Sequence, residues 1–353
     1  MTNLEKYLSV LSDGEGLLLT SRFSRYYCAQ YDIAEGVALV SQNGCCYFTD
    51  SRYIESAQKG ITDLTVTEMN RENPYSKLIN DACERFGVTT LGYEQDYLTV
   101  TELNGFQEKL NAALVPMGDK ITPFRSVKEP WELALIRKAQ QITDAAFAQV
   151  LPRVQVGMTE KELMAELIYC LYKNGADGLS FDPIVVSGPN TSMPHGVAGD
   201  RKIQEGDFIT MDFGAMYRGY CADMTRTVAV GFATEEMEKV YNTVLEAQLA
   251  GIAATKAGVT GAEVDGAARK VIADAGYGSY FGHGYGHSIG MECHEMPSCS
   301  PGGKTPIAAG TVASAEPGIY LPGKFGVRIE DLVIFTQDGC ENITASPKTL
   351  LVL

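Results

Sequence analysis

DFITMDFGAMYRGYCADMTRTVAV, residues 207–230, alternates apolar or β-branched residues with polar ones on both sides of YRGY. That alternation around a glycine-containing turn is the pattern of a β-hairpin. Asp212 and Asp223 stand five steps out on either side of Tyr217-Arg218, so an unbulged hairpin centred there sets them opposite each other. Directly opposed Cβ atoms are roughly 4.5–5.5 Å apart, and like charges at that separation destabilise a sheet. Ile209, Met211 and Phe213 flank Asp212, which argues against a solvated surface charge. The pair calls for something positive between its members.

A second ribbon repeats the device. VASAEPGIYLPGKFGVRIEDLVIF, residues 312–335, turns at PGK, and Glu316 and Glu330 lie seven residues to either side of Gly323. Arg328 shares a strand face with Glu330, because side chains two apart on a strand point the same way. The chain has four histidines, and His283, His287 and His294 all fall in FGHGYGHSIGMECHEMP, residues 281–297. Its glycines disfavour a helix. In an extended segment His283 and His287, four apart, face the same side. The fourth, His195, follows Pro194.

Four carboxylates with one or two imidazoles make an oxygen-rich ligand set, suited to Mn²⁺, Co²⁺, Fe²⁺ or Zn²⁺ rather than to a thiolate-rich structural zinc site. Four negative ligands exceed what one divalent ion requires. Two ions roughly 3.5–4 Å apart, sharing carboxylates and a water, balance the charge better and serve hydrolysis.

Around these segments the pattern implies two domains. Residues 1–125 alternate strands and helices, an α/β arrangement. GVALV and CCYFT flank SQNG as a hairpin; SRYIESAQKG, PYSKLINDACERFG and TVTELNGFQEKLNAAL read as helices; LTVTEM and TTLGYE read as strands. ITPFRSVKEP, residues 121–130, reads as the junction, with two prolines and mixed charge. Residues 126–353 read as α+β, helices covering a largely antiparallel sheet. A long helix opens at Trp131, and Thr159/Glu162 and Thr260/Glu263 have capping-box spacing, with Gly175 and Gly276 as stops.

The chain has 353 residues, 45 % of them apolar, and a net charge of −15. The charge disfavours nucleic acid as a partner. No stretch approaches the roughly 20 apolar residues of a membrane span, and the first residues do not read as a signal peptide. Nine cysteines without a CxxC pair imply reduced thiols and a cytoplasmic protein.

Taken together, SGPNTSMPHGVAGDR (187–201), MDFGAMYRGYCADMTRT (211–227), GHGYGHSIGMECHE (282–295) and EPGIYLPGKFGVRIED (316–331) resemble the metal-dependent pita-bread peptidases, the Xaa-Pro aminopeptidases and Xaa-Pro dipeptidases. FTDSRYIESA (48–57) resembles their creatinase-like N-terminal domain, and the terminal SPKTLLVL is also similar. The resemblance implies a creatinase-like domain over 1–125 and a pita-bread catalytic domain over 126–353. It implies Asp212, Asp223, His287, Glu316 and Glu330 as ligands of two divalent ions, Mn²⁺ first, with Co²⁺ or Zn²⁺ using the same set. It implies Glu316 as proton shuttle, His294 as oxyanion partner, His195 and His283 as substrate contacts, and Arg328 as a further site residue. The implied reaction is hydrolysis of the bond between an N-terminal residue and proline in peptides with proline second, by a homodimer without nucleic acid or membrane partners. A dipeptidase limited to Xaa-Pro is the alternative, followed by a non-catalytic protein-binding module. Ala315 is smaller than the residue common before EPG, which implies a change in packing rather than in ligation. Arg22, Arg25 and Arg52 are candidates for lining the entrance.

Overall fold

The computed structural model describes residues 2–353; the chain divides into two compact units at 124/125. The first unit is built on a six-stranded mixed sheet, in the order Thr65–Met69, Gly44–Asp50, Val37–Ser41, Glu15–Leu19, Thr90–Tyr93 and Ala113–Pro116. The expected hairpin is present: Val37–Ser41 and Gly44–Asp50 pair antiparallel around Gln42-Asn43. The helices Ile54–Gly60, Tyr75–Phe86 and Val100–Lys109 fall on the segments that read as helical. Ile79, Ala82, Cys83 and Phe86 of the second pack on Leu18, Leu39, Phe48 and Leu91 of the sheet. Arg25 is a structural residue of this unit: it is buried and donates to Tyr47 Oη and to the Ile33 and Ala34 carbonyls. Arg22 and Arg52 pair with Asp32 and Asp50.

The second unit runs twice through one plan, two helices followed by an acidic ribbon. Helices Pro130–Val150 and Glu160–Lys173 share a core with Ile209, Met211, Phe213, Met224 and Val228 of the first ribbon. Helices Glu235–Ala254 and Gly261–Asp274 share one with Ala313, Ile319, Val327, Ile329 and Val333 of the second. The ladders between named strands are antiparallel throughout this unit. Both capping boxes form, Thr159 with Glu162 and Thr260 with Glu263, and Gly175 and Gly276 follow the helices with φ of 97° and 88°. Helix Glu235–Ala254 is the long helix of this unit that pattern reading does not find. No helix among the described residues is long and apolar enough to cross a membrane.

Two expectations change in detail. The first ribbon turns on Arg218-Gly219, with φ of 47° and 75°, not on Tyr217-Arg218. Two successive positive-φ residues make the tight turn that matches strand twist. Tyr217 pairs with Tyr220 and Asp212 with Thr225, so Asp212 and Asp223 are diagonal neighbours rather than opposed. The slip moves Asp223 by two positions, so both carboxylates keep the same face. The histidine segment is also less regular than a strand: Gly286–Ser288 pairs with Glu295–Cys299 across an irregular register, and His283 and His294 lie outside both.

Candidate active site

The second ribbon holds its register across the whole segment. Gly318 pairs with Arg328 on one side of the Glu316/Glu330 position and Ala315 with Asp331 on the other, so the two glutamates stand opposite each other at the break between the ladders. The first ribbon lies alongside. Thr225 connects the two: its hydroxyl accepts from Arg328 Nε at 2.9 Å and donates to Glu330 Oε2 at 2.6 Å. Arg328 Nη2 donates to Asp212 Oδ2 at 2.5 Å.

His287 enters from the glycine-rich segment. A Cβ on Gly286 would meet the Ser314 carbonyl oxygen at 2.1 Å, so glycine lets this backbone lie against the strand that leads to Glu316. Its Nδ1 is 3.2 Å from the Ser288 carbonyl oxygen, which places the proton there and turns Nε2 towards the carboxylates. Nε2 is 3.2 Å from Glu316 Oε1 and 3.6 Å from Asp223 Oδ2. Burial works against a charge on His287, but the hydrogen bond and charge of Glu316, with Asp223 behind it, raise the imidazole to about 9. Burial likewise opposes ionisation of Glu316, yet the His287 hydrogen bond and charge draw it down to about 2.

Three oxygens in this group have no hydrogen-bond partner although they are buried: Asp212 Oδ1, Asp223 Oδ1 and Glu330 Oε1. Leaving carboxylate oxygens dry and unpaired is costly. Burial and the charge of Asp212 hold Asp223 well above the usual carboxylate range, and burial and the charge of Asp223 do the same to Glu330. One ligand atom each from Asp223, His287 and Glu330 lies within 4.8 Å of the others. Unpaired oxygens, mutual repulsion and an imidazole nitrogen turned inward are what a divalent cation would satisfy, so the residues fit one.

Asp212, Asp223, His287, Glu316, Glu330 and Arg328 line one cavity of about 790 Å³ together with His195, His283 and His294. His294 is exposed and its ring centroid is 4.1 Å from that of His287. His195 is exposed on the loop after the Gly188–Ser192 turn. His283 has both nitrogens engaged, Nδ1 with the Gly284 carbonyl at 2.8 Å and Nε2 with Tyr320 Oη at 2.9 Å. The expected grip of His283 on a substrate backbone would require Nε2 to leave Tyr320.

Pattern reading misses several members of this site. Tyr320 accepts from Arg328 Nη1 at 2.8 Å; it lies two and four residues beyond Gly318 and Glu316, so strand periodicity could have placed it on their face. Cys293 lines the cavity and its thiol lies 3.4 Å from Asp223 Oδ2. One wall is apolar, formed by Met164, Ile168, Leu179, Phe181, Pro183 and Ile184. Met164 and Ile168 stand one turn apart on helix Glu160–Lys173, Leu179, Phe181 and Pro183 alternate along the stretch leading to strand Ile184–Ser187, and nothing local joins the two sets.

The description "Metallopeptidase family M24" matches residues 134–337, and "Creatinase/Prolidase N-terminal domain" matches residues 11–127. The chain belongs to metallopeptidase family M24. It is an exopeptidase enzyme, and membership implies a divalent metal. The chain is 39 % identical over 340 residues to the uncharacterized peptidase YqhT of Bacillus subtilis, covering 96 % of each. A solved Xaa-Pro dipeptidase from Bacillus anthracis superposes with a TM-score of 0.95 at 40 % identity, over 99 % of both chains. The X-Pro aminopeptidase from Thermotoga maritima superposes with a TM-score of 0.93 at 35 % identity, again over 99 % of both.

Proposed function

We propose that this M24 peptidase hydrolyses the peptide bond between an N-terminal residue and a proline in second position, at a centre of two divalent cations held by Asp212, Asp223, His287, Glu316 and Glu330. The observation that carries the reading is the convergence of three buried, unpartnered carboxylate oxygens with His287 in one cavity. The oxygen-rich donor set favours Mn²⁺, with Co²⁺ or Zn²⁺ as substitutes. Cations bound there would supply Lewis-acid polarisation of the scissile carbonyl and an acidified water.

The chain's own residues account for the rest. Glu316, ionised and backed by the Ser314 hydroxyl at 3.1 Å, takes the proton from the attacking water and passes it to the departing proline nitrogen. His294, exposed to the cavity, donates to the oxygen that gains charge as the carbonyl carbon becomes tetrahedral. His195 contacts the substrate from the facing loop. The apolar wall excludes water and receives hydrophobic substrate groups. An Xaa-Pro bond carries no N–H, so recognition rests on this shaped pocket rather than on a strand-like ladder.

The dipeptide Xaa-Pro is the first substrate, a reading supported by likeness to the Bacillus anthracis dipeptidase. Longer peptides beginning Xaa-Pro are the second reading, supported by likeness to the Thermotoga maritima aminopeptidase. The test is a series of Xaa-Pro, Xaa-Pro-Yaa and longer peptides with Mn²⁺ and Co²⁺ in turn, run beside Glu316→Gln. Turnover confined to proline-second peptides and abolished in a folded Glu316→Gln supports the proposal. Turnover of Glu316→Gln at the parent rate, or no preference for proline, overturns it.

A further inference from the structure

The junction segment of the chain carries charges that are not solvated. Arg125, Lys128 and Glu295 are 5 %, 1 % and 4 % exposed at their side chains. Lys128 Nζ donates to Glu295 Oε2 at 2.9 Å. Arg125 Nη2 donates to Glu292 Oε2 at 2.6 Å, and its Nη1 is 3.6 Å from Glu295 Oε1. Ser126 Oγ donates to the Met296 carbonyl at 3.1 Å. Three residues of one short segment thus hold both flanks of the turn that carries Cys293 and His294.

Glu295 itself is folded back into that turn. Its Oε1 accepts from the backbone N–H of Met291 at 3.1 Å and of Glu292 at 3.3 Å. A Cβ on Gly290 would lie 2.5 Å from Glu295 Oε2, so glycine leaves the carboxylate its place. The opposite end of the segment is fixed as well, since Lys128 N–H donates to the Gly310 carbonyl at 3.0 Å. Charge-assisted hydrogen bonds in a buried site are strong and geometrically demanding.

We infer that Arg125 and Lys128, acting through Glu292 and Glu295, are positioning residues that set where His294 stands in the cavity. The inference rests on the role given to His294 in the proposed function. His294 is exposed and its ring meets that of His287 at 4.1 Å, so the backbone on both sides decides where it can stand. Small displacements of a group that meets the reacting oxygen are expensive in rate.

The test is a double-mutant cycle on the full chain, Lys128→Met with His294→Ala, reading kcat and KM for an Xaa-Pro substrate beside calorimetric Mn²⁺ uptake. In the parent, Lys128→Met is expected to lower kcat/KM by about ten- to a hundredfold, mostly in kcat, with uptake unchanged. In His294→Ala it is expected to have little further effect, because the group it positions is gone. Equal losses in both backgrounds, or loss of Mn²⁺ uptake, overturn the inference alone. A fully active His294→Ala overturns both the role of His294 and the inference built on it. Should Lys128→Met not fold, Ser126→Ala, which removes one partly exposed bond, is read through the same cycle; it is expected to give a smaller loss that also vanishes in His294→Ala, and additive losses overturn the inference.

Discussion

Arg328 occupies one oxygen of Asp212 and leaves the other alone: Nη2 bonds Oδ2 at 2.5 Å, while Oδ1 is buried without a partner. The same guanidinium reaches Thr225 Oγ1, Tyr320 Oη and the Pro194 carbonyl. It therefore fixes which lobe of Asp212 faces the cavity and ties both ribbons to the loop before His195. An ammonium cannot reproduce that fork. Arg328→Lys is expected to lower kcat/KM, and Arg328→Met to cost about 3–5 kcal/mol in urea unfolding of the metal-free protein. An Arg328→Lys enzyme with parental kinetics would refute the assignment.

The carboxylate group repels itself, and a bound cation relieves that repulsion. Mn²⁺ at about 100 times its Kd is expected to stabilise the folded chain by about 2.7 kcal/mol, read as an upward shift of the unfolding midpoint. Asp223→Asn removes one of the repelling charges. It is expected to leave the metal-free midpoint at or above the parent's while shrinking the Mn²⁺ shift. Glu330→Gln is expected to act alike, and each variant to bind less than the parent's Mn²⁺ stoichiometry. Equal shifts and stoichiometries in parent and variants would refute the ligand set.

Glycines beside the histidines differ in what they make possible. At Gly286 a Cβ meets the Ser314 carbonyl oxygen at 2.1 Å, whereas at Gly282 nothing lies within 4 Å. Gly286→Ala is expected to cost about 1–3 kcal/mol or more and to move His287 off Glu316. Gly282→Ala is expected to be neutral in stability and activity. Thermal unfolding of the two variants side by side checks both statements.

How much of this was legible in the chain depends on what each residue needed to be understood. Glu316 and Glu330 pair as their spacing indicates, because Gly323 (φ 72°) marks the turn centre and no bulge intervenes. Asp212 and Asp223 fall two residues off register, because the turn places Arg218, a non-glycine, at positive φ, and YRGY offers two centres. Helix Glu235–Ala254 escapes because its N-cap Thr234 has Met237 at the third position and so lacks the capping-box signature of the two helices that were found. The buried ion pairs of 125–128 were not legible because their partners lie 167 residues away along the chain, and no local period records that.

Burial also governs the thiols. Outside the cavity, desolvation raises Cys28, Cys45, Cys46, Cys170 and Cys340, lifts Cys83 to about 11, and lifts Cys221 and Cys299 to about 12. The thiolate is the reactive form, so these eight should alkylate slowly at neutral pH and readily once the chain is unfolded. Mass spectrometry after iodoacetamide treatment of native and urea-unfolded protein measures the difference. Fast native labelling at these positions would contradict the burial.

The doubled plan of the second unit has a consequence for synthesis. Asp212 and Asp223 belong to the first helix-pair-and-ribbon half, and Glu316 and Glu330 to the second. A nascent chain that has emerged only as far as its first ribbon owns half of a charge-holding group and nothing to complete it. With the proposed centre, cleaving power arises only once the final ribbon has closed over the first.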